Sequence, residues 1–110
     1  LSDESQIDVA QSFLALYWKP GASKPQASRA HIAQRYELCE DMANMLTQTA
    51  QNMLHGQSLT EQSVLESLLS VLSQPESVLS AEEARWVIWR LAELSGWQMP
   101  QSADSAANTL

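Results

Sequence analysis

Residues 28–56 read SRAHIAQRYELCEDMANMLTQTAQNMLHG, and this stretch decides the fold. Its apolar positions Ile32, Tyr36, Cys39, Ala43, Leu46, Ala50 and Met53 follow one another at alternating steps of four and three. That spacing puts them on one side of a helix with 3.6 residues per turn, whereas a half-buried strand would need every second position. Met42, Met45 and Leu54 broaden the seam into a stripe. The segment predicts a helix from about Ser28 to His55, closed by Gly56 in the left-handed conformation that ends many helices. About 28 residues at ~1.5 Å each make ~42 Å. A domain of this size does not need that length for its own core, so an overhang or a partner helix is expected.

The flanking sequence is punctuated in the same way. Upstream, Lys19 to Ala27 holds two prolines and a glycine and reads as a loop. Before it, Ile7, Ala10, Phe13, Leu14 and Tyr17 recur at helical spacing, which predicts a helix from Ser2 to Trp18 capped by Ser2. Downstream, Ser58 with Glu61 three residues on suggests a capping box that opens a leucine-rich helix ending near Ser73. Gln74-Pro75 interrupts it, and Pro75 to Leu79 could form a short helical turn. Ser80 with Glu83 is a second capping box, opening a helix from Ala81 to Ser95 that Gly96 terminates. The expected fold class is all-α, a compact bundle of four main helices, one of them long. One helical domain would occupy residues 1–100, with a disordered polar tail over 101–110.

Charge narrows the partners. Thirteen acids oppose six bases for a net charge of −7, and the bases Lys19, Lys24, Arg29, Arg35, Arg85 and Arg90 are scattered. Phosphate backbones and anionic lipid surfaces are met by clustered cations, so nucleic acid and membrane are not expected partners. A protein with a basic surface is favoured. No apolar run reaches the roughly 18–20 residues of a membrane span. The acidic start Leu1-Ser2-Asp3-Glu4 does not resemble a signal peptide. Cys39 is a single cysteine and cannot form an intrachain disulfide; the cytoplasm is the expected compartment, and a cysteine-poor periplasmic protein fits equally.

Reactive residue types are few. His31 and His55 fall 24 residues apart on one predicted helix, ~36 Å along its axis, too far to share a metal or a reacting atom. Glu37, Glu40 and Asp41 crowd Cys39 in sequence, which disfavours its thiolate. Gly21, Gly56 and Gly96 are isolated, so no phosphate-cradling loop can be drawn. No catalytic residue, cofactor or metal site is expected, and the chain reads as a non-enzyme.

Two surface features remain. Glu37, Glu40, Asp41 and Asn44 share one face of the long helix, a solvated acidic face or a docking face. The last helix carries Trp86 and Trp89 three residues apart, between Arg85 and Arg90, with Trp97 just beyond its end. Tryptophan and arginine are the side chains over-represented at binding hot spots. With Val87, Ile88 and Leu91 on other bearings, the helix is apolar around most of its girth, so at least one of Trp86 and Trp89 should be partly exposed. The expectation is a protein-binding accessory or regulatory module, such as an adaptor, chaperone, inhibitor or immunity-type factor. Self-association into a homodimer through the long helix is a close variant. The alternative is a helical small-ligand-binding protein with a Trp- and Met-lined pocket.

Overall fold

The structure is a computed structural model that describes residues 9–98. Helices α1 (Gln11–Leu14), α2 (Arg29–Gly56), α3 (Glu61–Leu72) and α4 (Ala81–Ser95) pack together without a strand among the described residues, an all-α fold. No helix among them is long and apolar enough to cross a membrane.

α2 spans 28 residues, the length the seam predicts, and opens with the Ser28 hydroxyl accepting from the His31 N–H at 3.1 Å. Ile32, Cys39, Ala43 and Ala50 of the seam are buried, while Tyr36, Leu46 and Met53 are half-buried at its edges. α4 lies along α2, α3 closes the flank of both, and α1 crosses the N-terminal part of α4. Two apolar clusters result. Phe13, Ile32, Cys39, Ala43, Leu79 and Trp86 meet in the first, and Ala50, Val64, Leu65, Leu68, Ile88 and Leu91 in the second.

Several boundaries differ from the sequence-based expectation, each for a local reason. The expected first helix is, over the described residues, a short α1 that tightens into a 3-10 turn at Ala15–Tyr17; its start at Ser2 lies outside them. The turn that follows has Pro20 second and Gly21 third, with Gly21 at φ 82° and the Ala22 N–H bonded to the Lys19 carbonyl. That is the pattern of a type II turn, which needs a residue tolerant of positive φ in third place. Gly56 belongs to α2, and the left-handed residue is Ser58, at φ 56°. With Ser58 so used, the cap of α3 passes to Thr60, whose hydroxyl accepts from the Ser63 N–H at 3.0 Å, and Glu61 falls in the first turn. The short helix before α4 is instead a hydrogen-bonded turn, Ser77 N–H to the Gln74 carbonyl at 2.9 Å. The polar tail expected over 101–110 lies outside the described residues.

Candidate functional site

α4 carries two different environments, one at each end. At its N-terminus the Ser80–Glu83 capping box forms in full, with each partner bonding the other's backbone N–H. That fixes Glu83 in the first turn, where it faces inward and is only 4% exposed. Its Oε1 accepts from the Ser80 N–H at 2.9 Å and from Arg35 Nη2 at 2.7 Å. Its Oε2 accepts from Arg35 Nε at 2.9 Å and from the Tyr17 hydroxyl at 2.7 Å. Arg35 Nη2 also donates to the Val78 carbonyl at 2.8 Å, so one guanidinium ties α2 to the loop before α4 and to α4 itself.

The electrostatics follow from these bonds. Arg35 holds the Glu83 carboxyl down at about 2, against the opposing effect of burial, with the Ser80 and Tyr17 bonds helping. Burial pushes Tyr17 up to about 12, and the negative charge of Glu83 adds to it. Cys39 is also pushed up to about 12, by burial first and then by Glu83. The sequence neighbours Glu37, Glu40 and Asp41 are not the cause: Glu37 and Asp41 face solvent, and Glu40 is paired with Arg90. With all four acceptor positions of Glu83 engaged, this carboxylate joins elements and has no lone pair left for a substrate. Beside it lies an open cleft of about 540 Å³ whose walls include Leu16, Tyr17, His31, Arg35 and Leu79, without Trp or Met.

Along the middle of α4 the two tryptophans part. Trp86 is 5% exposed: Phe13 stands edge-on to it at 5.1 Å and Tyr36 at 5.7 Å, and its Nε1–H donates to the Ser12 hydroxyl at 2.9 Å. Covering by α1 is therefore what buries it. Trp89, 37% exposed, leans on Trp86 at 6.2 Å from centroid to centroid and presents the rest of its ring outward. Arg85 is exposed one turn before it.

Arg90 turns toward α2. Its Nε and Nη2 engage both oxygens of Glu40 at 2.9–3.2 Å, and its Nη1 donates to Glu93 Oε1 at 2.8 Å. Thus the acidic face of α2 and the Trp/Arg helix, separate features in the sequence, are joined through Glu40 and Arg90. Glu37 and Asp41 stay exposed, and Asn44 donates back to the Glu40 carbonyl.

The C-terminus of α4 places the last candidate. Gly96 adopts φ 75°, its N–H bonds the Glu93 carbonyl, and the Trp97 N–H reaches back to the Ala92 carbonyl at 2.8 Å. This is the Schellman arrangement, which folds the residue after the glycine back against the helix. Trp97 is thereby set near Trp89, and these two residues with Ala92 and Glu93 line an open notch of about 230 Å³.

Sequence reasoning missed Tyr17, Arg35 and Glu93, and assigned Glu83 only its cap. One signal was present: Arg35 sits at the edge of the seam beside Tyr36, a place where a charge needs a partner. Nothing local could say that the partner lies 48 residues away. Comparison with protein-family models, with curated proteins and with solved structures found no match to this chain.

Proposed function

We propose that this chain is a non-enzymatic protein-binding module, with Trp89 at the centre of its contact surface and a basic, apolar segment of another protein as its partner. The observation that carries this reading is the contrast on one helix: Trp86 is enclosed, and Trp89, one turn away, is left 37% exposed. A large indole held in place by packing on one side loses little conformational freedom when a partner covers the other, which is why such residues dominate contact energies. Charge supports the choice of partner. The net charge is −7, and Glu37 and Asp41 stand exposed beside the Glu40–Arg90 pair. They would steer a basic surface toward the indole.

The test is recovery of partners from the native host with wild type, Trp89→Ala and the surface control Val71→Ala. The expected result is a protein bound by wild type and by the control, lost with Trp89→Ala, that rebinds the purified chain at fixed stoichiometry. Equal recovery by all three would remove Trp89 from the contact. Light scattering on the same proteins reads the homodimer variant.

A second reading, small-ligand binding, draws on the cleft beside Arg35, whose volume of about 540 Å³ falls in the range of ligand sites. It is the weaker one, because the Arg35 and Glu83 groups there already satisfy each other.

A further inference from the structure

The notch at the end of α4 has a chemistry of its own. Trp89, Trp97 and Glu93 line it with Ala92; Ala92 is 1% exposed and the Glu93 side chain 52% exposed. Its volume of about 230 Å³ lies below the ~300–1,000 Å³ typical of small-molecule sites and suits one long side chain. Indole faces attract cations, and an aliphatic stem can lie along apolar walls while its charged head stays at the wet edge.

The local charge agrees. Arg90 is shared between two carboxylates, Glu40 through a fork and Glu93 through one bond, so the trio carries one negative charge in excess. Arg85, one turn before Trp89 on the opposite side from Glu93, is exposed and would repel a cation there. An incoming cation is therefore directed toward the Glu93 end, where Trp97 closes the notch.

We propose that this notch holds the side chain of an arginine or lysine in a basic segment of a partner protein, stacked between Trp89 and Trp97 with Glu93 as counter-charge. The inference deepens the protein-binding reading and rests on it.

The experiment is a titration of the ¹⁵N-labelled chain with capped hexa-arginine, with its neutral isostere hexa-citrulline, and with hexaglutamate, reading the four indole N–H signals. Hexa-arginine should move the signals of Trp89 and Trp97 and leave Trp18 and Trp86 in place. Hexa-citrulline should bind about tenfold more weakly, the scale of one cation–π contact plus its counter-charge. Hexaglutamate should not bind. Trp89→Leu, which keeps the apolar bulk and removes the π face, should weaken hexa-arginine about fivefold. Glu93→Gln should weaken it about threefold, with thermal midpoints unchanged for both variants. Equal binding of hexa-citrulline, undiminished binding to Trp89→Leu, or uniform movement of all four indoles would overturn the proposal. If these fail while a host partner is still lost with Trp89→Ala, the protein contact stands and only the cation is removed. If both fail, the reading of Trp89 as a contact residue falls with it.

Discussion

The two halves of α4 are packed by different means. Around its N-terminal half, aromatic rings are locked by directed bonds: Phe13, Tyr36 and Trp86 meet edge to face, Ser12 takes the Trp86 N–H, and Glu83 gathers Arg35, Tyr17 and Ser80. Around the C-terminal half, Val64, Leu65, Leu68, Ile88 and Leu91 pack as an aliphatic core, and the directed tie there, Arg90 to Glu40, lies outside that cluster. Aliphatic burial fixes how much surface leaves water, and many arrangements would serve. Directed bonds fix which side chain meets which, so the long-range geometry of α1 against α4 is specified at the aromatic end.

The sharpest way to break this comparison is at Trp86. Trp86→Ala should cost about 3–5 kcal/mol in denaturant unfolding, because it removes a buried indole on which three rings converge. A loss below about 1 kcal/mol would mean that α1 does not cover it.

Next is the ion pair. Arg35→Met should cost about 3–4 kcal/mol at neutral pH, since Glu83 would be left buried with its main partner gone. Leu65→Ala, at the aliphatic end, should cost about 2–4 kcal/mol. The two should differ in pH dependence more than in size, with Leu65→Ala keeping the wild-type profile.

The pH profile isolates the clamp. Glu83 ionises near 2 when folded and near 4.5 in its ordinary state, so its contribution is present above about 4.5 and disappears as pH falls toward 2. That loss should be on the order of 3 kcal/mol, and Glu83→Gln should flatten this part of the curve. At the alkaline end Tyr17, raised from 10 to about 12, contributes stability that declines between those values; Tyr17→Phe should remove the decline.

The smallest effect is expected at Trp89. Trp89→Ala should shift stability by about 1 kcal/mol or less, since the ring is packed on one side only. Equal losses at Trp86 and Trp89 would abolish the distinction between core and contact residue on which the proposed function rests.

How far the sequence could be read follows the same division. The four-three spacing from Ile32 to Met53 and the Ser80–Glu83 box are local patterns, and both describe the structure as it stands. Partial exposure within the Trp86–Trp89 pair was also legible, from helix bearings alone. Which of the two would be covered was not, because that depends on Phe13 and Ser12, more than 70 residues away. The cap of α3 was misread for a smaller reason: Ser58 and Thr60 can both cap, and the left-handed Ser58 decides in favour of Thr60. The Trp89–Trp97 notch needed the bearing of Trp89 and the glycine turn together, and each was visible only by itself.

Glu83 also constrains how this sequence can change. One carboxylate answers donors from Tyr17, Arg35 and the Ser80 backbone, so substitutions at these positions are not independent events. Glu83→Asp shortens the arm by one methylene while both oxygens must still span the same donors. Replacing Arg35 strands Glu83, yet once Glu83 is neutral, replacing Arg35 should be far less harmful. Variants of this chain should therefore reach new combinations at 17, 35 and 83 by ordered routes, with Glu83 altered before Arg35, and the order itself becomes a heritable trace of the clamp.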